Sequence, residues 1–260
     1  MLQLTVLASG SSGNSLLVRG ESTALLVDAG ISARQLETQI LALGITPQNL
    51  AGILLTHEHG DHTRGLKVFC SKHHIPVFTN PLTADSLRKS AIDTEWRLFN
   101  SGSAFEIAEL RIQPFSVPHD AADPVGFVIS SANSSLGILT DLGYATRQII
   151  HAVQGVNALV IETNHDEALL QNDTKRPWSV KQRILSRHGH LSNQAAAKLV
   201  AEIATENLRH ILLAHLSEDC NTPSLASEAI RQNLPATLPT HPEIHCPGHP
   251  PHPLPHSIQI

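Results

Sequence analysis

The chain has 260 residues, is 41% hydrophobic and 16% charged, and carries a formal net charge of −5 at pH 7. That length fits one large domain or two small ones with a sizeable core, and the composition is that of an ordinary soluble globular protein rather than a fibrous or disordered chain. The acidic balance gives no general attraction to nucleic acid or an anionic membrane, so a polyanionic substrate has to be drawn in locally, by metal ions or a basic patch.

The N-terminus, Met-Leu-Gln-Leu-Thr-Val-Leu-Ala, has no basic leading region, so no signal peptide is expected. No apolar run approaches the roughly 20 residues of a membrane span. Residues 2–7 alternate and read as a strand, followed by a loop of small residues, Ser9-Gly-Ser-Ser-Gly-Asn-Ser15. Residues 16–18 and 24–27 read as strands continuing that sheet, and Asp28-Ala-Gly30 closes its edge. Ser32 caps a helix through Leu43, with Gly44 just past its end. Residues 52–55 form a strand, a helix follows near 66–73, and then come a strand at 77–79 and a helix at 81–89. The stretch 96–139 is rich in β signals, at 110–117, 125–130 and 136–140. A helix near 146–153 and a strand at 158–161 follow. Helices near 180–187 and 192–204, a strand at 210–214 and a helix at 224–233 complete the folded part. Strands in groups followed by helices in groups favour two sheets packed face to face with helices outside. No sequence repeat is evident.

From Pro235 the composition changes: eight prolines and five histidines occupy the last 26 residues. The domain is therefore placed at 1–234, and 235–260 reads as a low-complexity tail, disordered or loosely packed. Cys70, Cys220 and Cys246 are widely spaced and odd in number. They suggest free thiols in a reducing cytosol rather than a disulfide framework.

The most informative stretch is His57-Glu-His59-Gly-Asp61-His62, directly behind the apolar run Ala51-Gly-Ile-Leu-Leu-Thr56. It packs three imidazoles and an aspartate into six residues, and these are ligand types for Zn²⁺, Mn²⁺ or Fe. The spacing excludes a His-Glu-x-x-His zincin helix, because position 61 is Asp. It suits a loop in which His57 and His59 point to one side of extended backbone while Asp61 and His62 turn toward a second ion. Further ligands have to come from elsewhere. His119, Asp141 and His215 each follow an apolar β run, where a strand end projects a side chain into a common cleft. Together the seven residues suffice for two metals with one shared carboxylate.

The order His-x-His-x-Asp-His, then a distant His, Asp and His, resembles that of metallo-β-lactamase-fold hydrolases over nearly the whole of 1–234. The resemblance implies an α/β (α+β) four-layer αβ/βα sandwich and a metal-dependent hydrolase. It implies that His57, His59 and His119 hold one divalent ion, that Asp61, His62 and His215 hold the other, and that Asp141 bridges them. The ions would be zinc or manganese, with iron as the alternative. A hydroxide shared between them would be the nucleophile. Asp28, in Leu-Val-Asp28-Ala-Gly, matches the family's first motif and would support the ligand loop.

Fold does not choose a substrate. His188-Gly-His190-Leu-Ser-Asn resembles the Gly-His-Ser segment of RNase Z-type nucleases, which points to a phosphodiesterase. His190, ahead of a helix capped by Ser192, would then be catalytic beside Asp61: it would stabilise charge or protonate the leaving oxygen, and Asp61 would orient the nucleophile. Between Thr174 and Ala201 lie six basic residues, including Lys175, Arg176, Lys181 and Arg183, and no acid. That segment could attract a phosphate backbone and Trp178 could stack on a base, against the plainer readings of a solvated helix face and a core tryptophan.

Leu7-Ala-Ser-Gly-Ser-Ser-Gly-Asn-Ser15, Pro118-His-Asp-Ala, Asp123-Pro-Val-Gly-Phe127, Glu162-Thr-Asn-His-Asp166 and Gly189-His-Leu-Ser-Asn193 resemble the YycJ/WalJ-like branch. That resemblance implies a 5′→3′ DNA exonuclease in a bacterial cytoplasm. Ser11, Ser12, Asn14, His190 and Arg183 become the candidate substrate contacts, the small-residue loop cradling a terminal phosphate. No long arm of the RNase Z type is present, which disfavours tRNA processing. The alternative on the same fold is a small-molecule hydrolase, acting on cyclic or nucleotide phosphodiesters or on thioesters and lactones.

Overall fold

Strands β1 (Gln3–Ala8), β2 (Ser15–Arg19) and β3 (Ala24–Val27) form an antiparallel run in which Leu4 lies opposite Val18, and Val18 opposite Leu25. The computed structural model describes residues 1–90, 92, 94–249 and 254–260. Helix α1 (Ala33–Ala42) begins at a reciprocal capping box between Ser32 and Gln35, and Gly44 follows it at φ 75°. Strand β4 (Leu50–Leu54) then pairs parallel with β3. Helices α2 (Gly60–Thr63) and α3 (Leu66–His73) lead to β5 (Val77–Thr79), and α4 (Pro81–Lys89) leads to β6 (Trp96–Leu98). Strands β4, β5 and β6 are mutually parallel.

The second sheet repeats the plan. Strands β7 (Phe105–Ile107), β8 (Leu110–Ser116), β9 (Val125–Ser130) and β10 (Ser135–Leu139) are antiparallel. After helix α5 (Arg147–Val153), strand β11 (Ala158–Glu162) adds in parallel to β10. Helices α6 (Glu167–Asn172), α7 (Trp178–Ile184) and α8 (Asn193–Ile203) precede β12 (His210–Ala214), which is parallel to β11. Helix α9 (Pro223–Asn233), β13 (Glu243–His245) and β14 (His256–Gln259) complete the described elements. The strand orders are β14-β1-β2-β3-β4-β5-β6 and β13-β12-β11-β10-β9-β8-β7. Strand β3 is therefore central rather than at an edge, because β4 pairs on its far side. The short helices α2 and α6 carry no apolar periodicity and were not anticipated.

Period-two alternation sends each strand's side chains to two different cores. Leu25 and Val27 join Val160, Leu212 and Phe127 between the sheets. Leu26 faces the other way, onto Leu36, Ile40 and Phe69 of α1 and α3. Leu159, Ile161 and Leu213 face Leu199, Val200 and Ile230 of α8 and α9. Three apolar layers thus bind four structural layers, α/β/β/α.

The C-terminal tail departs from expectation. Its described residues are structured: β13 adds in parallel to β12, and β14 adds antiparallel to β1 with Leu4 opposite Ile258. The reason is local. Ile258 and Ile260, two apart, both enter the core between the sheets, and backbone pairing to β1 satisfies the intervening polar groups. Proline-rich composition hid this short alternation. The part of the tail at 250–253 lies outside the described residues. Among the described residues, no helix is long and apolar enough to cross a membrane.

Candidate metal centre

Buried parallel strands deliver their chemistry at their C-terminal ends, where the backbone leaves the ladder. Asp28 follows β3, His57 follows β4, Asp141 follows β10, Glu162 ends β11 and His215 follows β12. Asp28, Asp141 and His215 have φ of 62°, 54° and 57°. A left-handed backbone is uncommon for a residue with a Cβ, and three such turns at one site show that the surrounding structure holds them there. Each is buried.

The histidine loop is clamped by backbone. Ala29 N donates to His62 O and Asn14 N donates to Asp61 O, both at 2.8 Å. A Cβ on Gly30 would stand 1.7 Å from the Asp61 carbonyl oxygen, so only glycine allows this approach. Asn14 is buried; its Oδ1 accepts from Gly10 N at 2.9 Å, and its Nδ2 lies 3.1 Å from His62 Nε2 and 3.4 Å from Asp61 Oδ2.

The imidazoles are oriented from behind. His62 Nδ1 lies 2.7 Å from Asp28 Oδ2, while Asp28 Oδ1 accepts from Thr56 N at 2.9 Å. His57 Nδ1 lies 3.0 Å from Thr56 Oγ1, and His119 Nδ1 lies 3.1 Å from the Gly189 carbonyl oxygen. His215 Nδ1 lies 2.7 Å from Glu162 Oε1. With Nδ1 engaged outward, each ring turns Nε2 toward the cleft. Nε2 of His57 and of His215 is buried without a hydrogen-bond partner among the described residues. Buried polar atoms are normally satisfied, so such orphans call for a missing partner.

The seven predicted residues come together in two overlapping sets. His57, His59 and His119 present donor atoms to one another, with His59 Nδ1 3.4 Å from His119 Nε2. Asp61 Oδ2 lies 3.6 Å from both His62 Nε2 and His215 Nε2. Asp141 joins the sets through His57 and His62, with Oδ2 2.9 Å from His62 Nε2 in one candidate group, while its Oδ1 lies 3.2 Å from His215 Nδ1, the ring nitrogen that Glu162 holds. Ligand atoms about 2.0–2.2 Å from one divalent ion lie roughly 3–3.7 Å apart, so the spacing and the N/O donor set fit divalent metal.

Glu162 is the functional residue whose role sequence reasoning missed. It is fully buried, and Oε1 lies 2.7 Å from both His190 Nδ1 and His215 Nδ1. Its Oε2 accepts from Leu142 N and Leu191 N at 3.1 Å. The available signal was a carboxylate closing an apolar strand, the same context as Asp28 and Asp141. His190 stands between the sets, its ring centroid 5.2 Å from those of His119 and His215. Gly189 is confined too: a Cβ there would stand 2.1 Å from the Ile184 carbonyl oxygen. Asn164 and His165, family positions without an assigned role, brace this wall. Asn164 Nδ2 donates to the His215 carbonyl at 3.1 Å, and Asn193 N donates to the His165 carbonyl at 2.9 Å.

Charge is concentrated and mutually compensated. Burial opposes the charged form of His62, but Asp28 and Asp141 outweigh it and raise its pKa to about 10. The same contest, won by Asp141, Asp61 and Glu162, raises His215 well above its ordinary value. Burial also works against the ionised carboxylates, yet His215 and His62 hold Asp141 well below the usual range, and His190 and His215 bring Glu162 to about 2. Burial lowers His57, and the neighbouring His62 adds to the effect. His190 is raised: burial opposes its charge, and Glu162 and Asp141 override it.

The rim holds the remaining candidates. Ser11 and Ser12 are exposed, and Arg64 donates to the Ser12 carbonyl at 2.6 Å. Arg183 is exposed and pairs with Asp120 at 3.1 Å, next to His119. The basic segment is less free than its sequence suggests. Lys175 and Arg176 pair with Asp173 and Asp219, Lys181 is buried against the Gln171 carbonyl, and Arg187 lies over the Tyr144 ring. Trp178 is 63% exposed, which rules out a core role. Cys70, Cys220 and Cys246 are buried.

A family model described as beta-lactamase superfamily domain matches residues 23–216. Exodeoxyribonuclease YycJ of Bacillus anthracis is 38% identical over 236 residues, covering 90% of this chain and 89% of that protein. Exodeoxyribonuclease WalJ of Streptococcus pneumoniae serotype 2 (strain D39 / NCTC 7466) is 34% identical over 227 residues, covering 85% and 84%. The crystal structure of the metallo-beta-lactamase fold protein YhfI from Bacillus subtilis superposes with a TM-score of 0.73 at 15% identity, covering 95% of this chain and 96% of that one. At that identity the likeness speaks for the fold alone.

Proposed function

This chain belongs to the beta-lactamase superfamily, and we propose that it is a metal-dependent phosphodiesterase that degrades DNA from its 5′ end. The observation that carries the reading is the place of His190: between one histidine of each ligand set, with Glu162 behind it. A scissile phosphate seated over the cluster would meet that ring, and a hydrolase of neutral esters has less use for a cationic imidazole there. Identity to two exodeoxyribonucleases over most of the chain supports the same substrate class.

In this reading His57, His59 and His119 would hold one divalent ion and Asp61, His62 and His215 a second, with Asp141 as a ligand shared by the two sets. Zinc or manganese suits the N/O donors, with iron as the alternative. When bound, the ions supply Lewis acidity, activating water near neutral pH and compensating charge on the phosphate oxygens. The chain's own residues do the rest. Asp61 carries the more accessible carboxylate of the set, and it orients the attacking water through an accepted hydrogen bond. His190, whose proton Glu162 and Asp141 hold against the opposing effect of burial, lies ahead of the α8 N-terminus capped by Ser192. It donates to phosphate oxygen and delivers its proton to the departing oxygen. Glu162 keeps the acidic proton on Nε2 by occupying Nδ1. Ser11, Ser12 and Arg183 contact the substrate at the rim. Asn14, already bonded to the histidine loop, reaches it only beside Asp61. An odd number of widely spaced cysteines fits a reducing cytoplasm.

The test is 5′-phosphorylated linear DNA, labelled at either end, incubated with purified protein and Mn²⁺ beside an Asp61→Ala control. Stepwise release from the 5′ end, lost in the control, is expected. No release by protein shown to carry metal would overturn the DNA reading and leave small phosphodiesters or thioesters as substrates.

A further inference from the structure

The opposite end of β12 carries a second cluster of metal-binding side chains. Strand β13 pairs with it in parallel, His210 opposite Glu243 and Leu212 opposite His245. Period two and this register place His210, Glu243 and His245 on the face that Leu212 and Ala214 turn toward the core between the sheets. His210 Nδ1 lies 3.3 Å from His245 Nε2 and 3.7 Å from Glu243 Oε2, and His245 Nε2 lies 3.6 Å from Glu243 Oε2. Three donor atoms thus form a nearly equilateral triangle. Two ligands about 2.0–2.2 Å from a tetrahedral ion stand roughly 3.3–3.6 Å apart, so the triangle matches one face of such a site.

The surroundings are those of a ligand group rather than a chance contact. The rings of His210 and His245 are largely enclosed, at 17% and 10% exposure, while Glu243 is 73% exposed and closes the solvent side. His256, the first residue of β14 in the other sheet, places Nε2 3.1 Å from His245 Nδ1. When His245 donates from Nδ1, its Nε2 lone pair faces the triangle, the outer hydrogen bond that metal-bound imidazoles commonly make.

We propose that His210, Glu243 and His245 form a second metal site, for a zinc-class divalent ion, that clips β13 and the C-terminal segment onto β12. Two imidazoles and a carboxylate suit borderline cations. The site lies at the other end of β12 from His215, about 16 Å away along the strand at about 3.3 Å per residue, so its ion takes no part in the chemistry of the central cluster. Its effect is on stability. Strand β13 has only three residues, and an ion bound to the folded form alone adds its binding free energy to the docking of that edge.

The test uses the full-length protein, stripped of metal and reloaded from a zinc buffer of limiting free concentration. Zinc per chain is measured by elemental mass spectrometry and amide exchange is followed across β13. Parent, Glu243→Gln and His210→Ala are compared. Each variant is expected to retain one zinc fewer than the parent, to exchange its β13 amides faster and to keep the parent's hydrolytic activity. Equal zinc in parent and both variants would overturn the site. Loss of zinc with unchanged β13 exchange would overturn the clip. Should His210→Ala fail to fold, the surface change Glu243→Gln decides alone.

Discussion

Glu162 and His190 meet at 2.7 Å, the carboxylate fully buried and the imidazole at the cleft. This contact sets the charge of the ring. Burial alone would lower the pKa of His190, and Glu162 reverses the sign. A group with a raised pKa keeps its proton above the ordinary value of about 6.5 and loses it as pH rises further. If His190 acts as the acid, activity falls as pH climbs through that raised value. Glu162→Gln keeps an acceptor but removes the charge, so the alkaline limb should move to lower pH, with activity down by about 10- to 100-fold at neutral pH. The pH profile of kcat is the measurement, read beside metal content. An unmoved alkaline limb would assign the proton to another group.

Asp28 bonds His62 with one oxygen and Thr56 with the other, from a left-handed backbone that Asn also tolerates. Asp28→Asn presents an amide hydrogen to a donor on one side, so His62 loses its fixed orientation. Metal affinity should fall by about 10- to 100-fold with the fold intact. Competition against a chelator of known affinity reads this. Wild-type affinity in the variant would reduce Asp28 to a turn residue.

Metal uptake should expel protons. His62, raised to about 10, is charged at neutral pH in the metal-free protein. Relative to an unfolded histidine, that charge stabilises the metal-free fold fully below about pH 6.5, and the stabilisation is lost as pH rises toward about 10. A metal ion needs the neutral ring, so binding gains affinity as pH increases and releases protons on the way. Calorimetric titration in buffers of different ionisation heat should detect that release. Uptake that is independent of pH between about pH 6 and about pH 8, without proton release, would count against His62 as a ligand.

Much of this was legible in the sequence, for a physical reason. Strands buried on both faces write themselves as short apolar runs, and the residue that ends each run lies at the cleft. His119, Asp141 and His215 are legible that way, whereas His57 stands out by the dense histidine cluster and Asp28 by its resemblance to a family motif. Glu162 ends such a run as well, but its partners are 28 and 53 positions distant, and only the fold brings them behind it. The basic segment misled in the opposite direction: its neutralising partner Asp219 lies about 43 positions along the chain, on another loop. The tail was obscured by composition, since one edge strand rests on the alternation of Ile258 and Ile260 alone.

Gly30 tests whether the ligand loop depends on close backbone contact. A methyl group there collides with the Asp61 carbonyl, which is backbone and has little room to give. Gly30→Ala should cost about 1–3 kcal/mol of stability or more and displace Asp61 and His62. Thermal melting with and without metal separates the two effects. A loss of metal-dependent stabilisation larger than the loss in the metal-free protein is expected. Equal losses would show the strain confined to the scaffold.

Trp178 offers the sharpest division between surface and substrate contact. At 63% exposure it contributes little to the core, so Trp178→Ala should change stability by no more than about 0.5 kcal/mol. Base stacking on an exposed aromatic is worth about 1–3 kcal/mol per base, and a base so held is lost on truncation. The variant should therefore bind single-stranded DNA more weakly while hydrolysing a small aryl phosphodiester at the parent rate. Phe at this position should restore most of the binding, because it keeps a ring face. If DNA affinity is indifferent to the side chain, the DNA path runs elsewhere on the rim, and the exposed Arg183 beside Asp120 becomes the next position to vary.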